Sequence, residues 1–82
     1  GNTVVIKPSE QTPKSSQLII ELWEKIGLPN GVINLIHGAG DTGRLLAAHP
    51  ILNGICFTGS YKVGQMIHQQ LAGHIEKLLV LV

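Results

Sequence analysis

The apolar residues of this chain form two alternating kinds of run, short continuous runs and longer periodic ones. The continuous runs are rich in valine, isoleucine and leucine and predict buried strands at residues 3–6, 32–36, 55–57 and 77–82. The periodic runs repeat apolar positions every three or four residues and predict amphipathic helices at residues 13–26, 41–48 and 61–72. The resulting order, βαβαβαβ, predicts an α/β fold with a parallel, doubly wound sheet.

The first helix has the clearest boundary signals. Thr12 suits the N-cap, Pro13 suits the first helical position, and Gly27 supplies a C-terminal stop. Trp23 of this helix and Met66 of the third helix lie in apolar stripes, so we expect both side chains in the core.

Composition limits the function classes. The chain has 82 residues, a net charge of +1 and scattered lysines and arginines, which disfavours nucleic acid and anionic membranes as partners. No apolar run approaches the roughly 20 residues of a membrane span. A single cysteine is typical of a reducing compartment, so the sequence predicts a soluble, cytoplasmic protein.

The metal-ligating residues do not form a metal-binding pattern. No two of the four histidines have the spacing of ligands on one helix, and there is no second cysteine, so we predict no metal site. Cys56 lies inside the third predicted strand, where we expect a small buried apolar residue and not a nucleophile.

Residues 57–64, Phe-Thr-Gly-Ser-Tyr-Lys-Val-Gly, join a strand directly to a helix. Small residues at a helix start allow an anion to approach unpaired N–H groups, which predicts a phosphate site. A P-loop is disfavoured because Gln65 and Met66 replace the required Lys and Ser/Thr. A nucleophile elbow is disfavoured because Lys62 replaces its second glycine. The alternative is an ordinary turn in which Ser60 only caps the helix.

A second glycine motif, residues 38–43, matches the Gly-x-Gly-x-x-Gly dinucleotide fingerprint. The acidic residue that should follow about 20 positions later is missing, because residues 58–60 are Thr-Gly-Ser. A carboxylate is instead available upstream, where Glu10 follows the first strand and could accept both ribose hydroxyls beside Lys7. The alternative for Lys7 and Glu10 is a solvated surface pair.

Four blocks in order resemble the aldehyde dehydrogenase superfamily: residues 1–13, residues 27–34, His49-Pro50, and Phe57 to Ser60 with Gly64. The resemblance covers the whole chain and implies part of a Rossmann-like NAD-binding domain at residues 1–82, with catalytic and oligomerisation domains outside it. Within the superfamily the chain is most similar to the branch that oxidises N-succinylglutamate 5-semialdehyde in arginine catabolism. That similarity rests on Lys14, the 38–43 loop, residues 52–54, His68 and Lys77.

The resemblance implies NAD as the cofactor. Lys7 and Glu10 would hold the adenine-side ribose, while Ser60 and the turn after it would meet the pyrophosphate. Pro8 and Ser9 would line the adenosine site, with Gly40 and Val63 near the adenine. The full implied set is Lys7, Pro8, Ser9, Glu10, Gly40, Gly59, Ser60, Tyr61, Lys62, Val63 and Gly64.

The reaction implied is oxidation of a small-molecule aldehyde to a carboxylate by a homo-oligomeric parent enzyme. The resemblance places the glutamate and the cysteine nucleophile after residue 82 and the oxyanion asparagine before residue 1, so we expect no catalytic residue in this chain and no activity from it alone. The alternatives are another NAD-dependent aldehyde dehydrogenase, or a non-catalytic, truncated nucleotide-binding module.

Overall fold

The computed structural model describes residues 1–74 and 76–81 and contains the predicted elements in the predicted order. The strands are β1 (Val4–Ile6), β2 (Ile33–Leu35), β3 (Gly54–Phe57) and β4 (Leu78–Leu81). The helices are α1 (Pro13–Lys25), α2 (Gly40–Ala47) and α3 (Tyr61–Gln70). The α/β class and the βαβαβαβ order are therefore confirmed, while the predicted end of the last strand at Val82 lies outside the described residues.

The strands form two parallel pairs. β1 pairs with β2, with Val4 opposite Ile33, and β3 pairs with β4, with Gly54 opposite Leu78. Among the described residues these pairs are two separate ladders and not one four-stranded sheet. The sequence did not predict this division, because an apolar run specifies a strand without specifying its neighbour. Each pair belongs to one of two compact units, Gly1–Gly43 and Arg44–Val82.

The end of α1 and the turn after it use glycine for its left-handed conformation. Gly27 has φ +93°, its N–H bonds to the Glu24 carbonyl, and the Leu28 N–H bonds to the Trp23 carbonyl. These two bonds are those of a Schellman motif, which confirms Gly27 as the helix stop. Gly31 has φ +85° in the turn that leads into β2.

Few side chains are buried within the chain. The buried apolar residues among those described are Ala47 and Leu71, and neither is completely shielded from solvent. Met66 is 54% exposed and Trp23 is half-buried, so the prediction that both belong to a core is wrong for Met66 and only partly met for Trp23. Cys56, predicted to be buried, is exposed. A helical or strand period indicates which face is apolar, but the described residues cover these faces only in part.

None of the helices in the described ranges has the length and apolar character needed to cross a membrane.

Candidate functional site

The carboxyl ends of β1 and β2 lie side by side in the first unit. The Ile36 N–H donates to the Ile6 carbonyl at 3.0 Å, which extends the parallel pairing one residue beyond β2. Lys7 follows β1 directly, and its Nζ donates to the carbonyl of Gly38 at 2.9 Å and to that of Pro8 at 3.1 Å. The lysine therefore links the end of β1 to the glycine loop after β2.

Glu10 lies in a tight turn formed by Ser9 to Thr12. The Thr12 N–H donates to the Ser9 carbonyl at 3.1 Å, and the Gln11 N–H donates to Ser9 Oγ at 3.3 Å. Glu10 is exposed, and within residues 1–74 and 76–81 its carboxylate has no hydrogen bond or ion pair, including none with Lys7. Lys7 and Glu10 therefore do not form the surface ion pair that was the alternative interpretation, and the Glu10 carboxylate is accessible to a ligand.

The start of α2 carries its own negative charge. Asp41 Oδ1 accepts a hydrogen bond from the Thr42 N–H at 2.9 Å, so a carboxylate already occupies the positive end of this helix. A phosphate there would be repelled by that carboxylate. Gly40 begins the helix and is exposed, and apart from its chain neighbours and the helix backbone no described atom lies within 4 Å of where a Cβ would stand. The fingerprint-like motif is thus a poor phosphate site, although Gly40 leaves room for a neutral group.

The start of α3 is different. Ser60 is the N-cap, and its Oγ accepts a hydrogen bond from the Val63 N–H at 3.3 Å. No acidic side chain lies in the first turn, and the side chains of Tyr61 and Lys62 are exposed. In the part of the chain that the structure describes, the N–H groups of Tyr61 and Lys62 have no acceptor. This helix start can accept an anion.

Gly59 and Gly64 are positions of close packing around Phe57. A Cβ at Gly59 would lie 2.6 Å from Cζ of Phe57, a distance that side chains do not tolerate. A Cβ at Gly64 would lie 3.6 Å from Phe57 and from Leu81, which is ordinary contact, and Gly64 is buried. Gly59 therefore lets the Phe57 ring lie under the turn, and Gly64 faces the β3–β4 pair.

The structure brings the predicted residues together in two groups, one in each unit. Lys7, Pro8, Ser9, Glu10 and Gly40 belong to the first unit. Gly59, Ser60, Tyr61, Lys62, Val63 and Gly64 belong to the second. That these residues bind a cofactor stays a prediction.

Two residues that contact Lys7 in the structure, Gly38 and Gly43, were not predicted from the sequence to do so. The Gly38 carbonyl accepts its hydrogen bond, and a Cβ at Gly43 would lie 3.2 Å from its Cε. The prediction that β1 and β2 are parallel could have indicated these contacts, because neighbouring parallel strands place the residues after their carboxyl ends next to each other. For the packing of Phe57 against Gly59 the sequence carries no such signal.

Other features of the described residues do not compete with these two groups. Two open grooves share Leu28, Pro29 and Ile33 near the amino end of β2, and the second continues along the strand to Leu35. Neither is lined by a residue of the two groups. Within residues 1–74 and 76–81, no three His, Cys, Asp or Glu side chains come together as metal ligands.

Comparison with known proteins supports the resemblance. The sequence model of the aldehyde dehydrogenase family matches residues 1–82. A variant of Bradyrhizobium japonicum proline utilization A is 37% identical over 99% of this chain and 9% of its own, with a TM-score of 0.91. An NAD-dependent aldehyde dehydrogenase from Sinorhizobium meliloti is 39% identical over 94% of this chain and 16% of its own, with a TM-score of 0.86.

A third structure was solved with the cofactor. The Mycobacterium tuberculosis aldehyde dehydrogenase complexed with NAD+ is 33% identical over 96% of this chain and 16% of its own, with a TM-score of 0.91. The chain thus spans 9% to 16% of the length of these three structures. With its helices and parallel strands it matches part of their fold, and it belongs to the aldehyde dehydrogenase family.

Proposed function

We propose that this chain is the part of an NAD-dependent aldehyde dehydrogenase that holds the adenosine and pyrophosphate of NAD. The first unit would bind the adenine-side ribose through Lys7 and Glu10. The second would bind the pyrophosphate through Ser60 and the N–H groups of Tyr61 and Lys62. In such a reaction NAD supplies a hydride acceptor, and the residues of this chain orient the cofactor.

The proposal is supported by two observations at the end of β1: the ammonium of Lys7 is fixed by two carbonyls, and the carboxylate of Glu10, in the turn that follows, is unpaired among the described residues. An ammonium has three donors, of which two already bond to carbonyls, so one remains for a ribose oxygen. A carboxylate offers two acceptor oxygens, which suits a pair of adjacent hydroxyls. The same negative charge would repel the additional phosphate of NADP, so the pair favours NAD.

The pyrophosphate assignment is supported by the difference between the two helix starts. Asp41 places a carboxylate at the start of α2, whereas α3 begins with an uncharged serine and no acidic residue in its first turn. Ser60 Oγ accepts from Val63, which leaves its hydroxyl proton available to a phosphate oxygen. The cap and the phosphate contact are therefore compatible.

For the substrate we propose N-succinylglutamate 5-semialdehyde, which the enzyme would convert to N-succinylglutamate in arginine catabolism. The support is the resemblance of Lys14, the 38–43 loop, residues 52–54, His68 and Lys77 to that branch. We further propose a cytoplasmic, homo-oligomeric parent enzyme whose catalytic residues lie outside these 82 residues.

The test uses the full-length protein that contains this chain. Calorimetry should detect NAD binding with weaker or no NADP binding, and added semialdehyde should produce NADH. A turnover rate with benzaldehyde or glutamate semialdehyde above that with the succinylated aldehyde would reject the proposed substrate alone. Failure to bind NAD would reject the cofactor proposal.

The alternative of a stand-alone nucleotide-binding module predicts that the 82-residue chain is a folded monomer that binds NAD without turnover. Many large apolar side chains are exposed, among them Ile26 at 81% and Leu78 at 67%. This argues against that alternative, because soluble monomeric domains rarely expose extensive apolar surface. Sedimentation of the isolated chain distinguishes the two proposals.

A further inference from the structure

Lys7 is fixed at its tip and along its stem within the first unit. The tip bonds to Gly38 at 2.9 Å and to Pro8 at 3.1 Å. These bonds are local to the turn and to the loop after β2, and no carboxylate among the described residues pairs with the ammonium. The direction of its third proton is therefore set by backbone atoms and not by a flexible ion pair.

The stem of Lys7 lies over Gly43 in α2. A Cβ at Gly43 would lie 3.2 Å from Cε and 3.8 Å from Cδ of Lys7, and apart from its chain neighbours and the backbone of α2 no other described atom would come within 4 Å of it. Gly43 does not have a positive φ, so its backbone conformation does not require glycine. Alanine would favour the helix more than glycine does. In this structure the glycine therefore makes room for the lysine stem at the expense of helix propensity.

We infer that Gly43 is a positioning residue for NAD binding that acts through Lys7. Its missing side chain lets the lysine reach the Gly38 carbonyl, and that bond in turn aims the remaining ammonium proton at the ribose. The inference rests on the proposed function in taking the adenine-side ribose as the ligand. Gly43 itself needs no contact with the cofactor.

The inference predicts that a substitution at Gly43 changes NAD affinity and protein stability in different directions. Gly43→Ala pushes the Lys7 stem by a few tenths of an ångström, which misaligns its hydrogen bonds, while the helix gains a better residue. NAD affinity should fall about three- to tenfold, because hydrogen bonds from charged groups lose strength steeply with geometry. The thermal unfolding midpoint of the ligand-free protein should stay the same or rise.

The experiment is a double-mutant cycle in the full-length protein, with NAD dissociation constants from calorimetry. Lys7→Ala removes the stem and the ammonium and should weaken NAD binding by about tenfold or more. Gly43→Ala added to Lys7→Ala should have no further effect, because the atoms that it displaced are gone. Gly73→Ala is the matched control, since a Cβ there meets no atom within 4 Å and the residue lies outside both groups.

Two binding results would overturn the inference: unchanged NAD affinity in Gly43→Ala, or the same loss with and without Lys7. Hydrogen exchange of the ligand-free protein gives a readout that does not depend on NAD. Lys7→Ala and Gly43→Ala should both accelerate exchange of the amides at residues 37–39, in the loop before α2 that Lys7 anchors at the Gly38 carbonyl, and unchanged exchange in both would equally overturn it. If the wild-type protein bound no NAD while exchange responded as expected, the cofactor proposal would fail and the Lys7–Gly43 coupling would stand.

Discussion

The Ser60 hydroxyl accepts a hydrogen bond from the Val63 N–H at 3.3 Å, so the residue predicted to contact phosphate is also the N-cap of α3. The two roles use different parts of one group, because the cap needs the oxygen as an acceptor and the phosphate needs the proton. Substitutions that keep one part and remove the other can therefore separate them.

Ser60→Ala and Ser60→Asp form the matched pair for this question. Alanine removes the cap and should lower the free energy of unfolding by about 0.5 to 2 kcal/mol, whereas aspartate keeps a cap acceptor and should preserve it. Both should weaken NAD binding, aspartate more strongly because its charge repels the pyrophosphate. Urea unfolding and calorimetry on the full-length protein measure the two effects. If Ser60→Asp bound NAD with wild-type affinity, the assignment of the pyrophosphate to the start of α3 would be rejected.

Glu10→Gln tests the ribose assignment. The amide accepts with one atom and carries no charge, so NAD affinity should fall about tenfold while NADP affinity falls less or rises. The ratio of the two affinities, measured by calorimetry, is the readout.

Glu24→Gln is the matched control for that substitution, because it makes the same charge change on another exposed glutamate of the first unit. Glu10 lies just before Pro13, the first residue of α1, whereas Glu24 lies near the other end of that helix. At about 1.5 Å per residue the helix separates Glu24 from Pro13 by about 16 Å, which exceeds the electrostatic screening length of about 8 Å at physiological salt. If the ratio of NAD affinity to NADP affinity changed equally in the two variants, the assignment of Glu10 to the ribose would be rejected.

Asp41→Asn tests whether the fingerprint-like glycine motif binds phosphate. Loss of the carboxylate from the start of α2 should destabilise the protein by about 0.3 to 1 kcal/mol through the helix dipole. NAD affinity should change less than about twofold if the pyrophosphate binds at α3. A clear gain in NAD affinity would instead place phosphate at α2.

Gly59→Ala should be destabilising whether or not NAD is present. The new Cβ would lie 2.6 Å from Cζ of Phe57, and relieving that overlap should cost about 1 to 3 kcal/mol in the free energy of unfolding. Gly64→Ala is the stability control, since its Cβ makes contacts at 3.6 Å. The double variant Gly59→Ala with Phe57→Leu should recover part of the loss. Equal unfolding midpoints for the two alanine variants would contradict the Phe57 contact.

The isolated 82-residue chain should associate through its exposed apolar residues. Leu78 in β4 is 67% exposed and lies in an apolar strand, a known risk for edge-to-edge pairing. Leu78→Lys should reduce association in sedimentation velocity. Leu79→Lys, at a half-buried neighbour, should instead destabilise the strand and increase association. A monomeric wild-type chain across the concentration series would contradict this prediction.

Much of the fold followed from local patterns. The Pro13 start and the Gly27 stop depend on groups within a few residues of each other, so the sequence predicted them correctly. The cap formed by Ser60 was the alternative to a phosphate contact, and the two roles are compatible. Burial was predicted less well, as exposed Cys56 and Met66 show. An apolar period identifies the face that prefers contact, but it does not supply the residues that make the contact.

The sequence by itself determined the order of strands and helices, the start and end of α1 and the family, because these depend on short-range chemistry and on residue identity. Thr12 precedes α1 as predicted, but its side chain forms no capping hydrogen bond. Only the tertiary structure decided that Lys7 bonds to the Gly38 carbonyl, that Gly43 lies beneath its stem and that Phe57 lies against Gly59. It also decided that β1 pairs with β2 and β3 with β4. The first three contacts depend on side-chain placement and the last on pairing between distant segments, and neither is encoded in the local period of apolar residues.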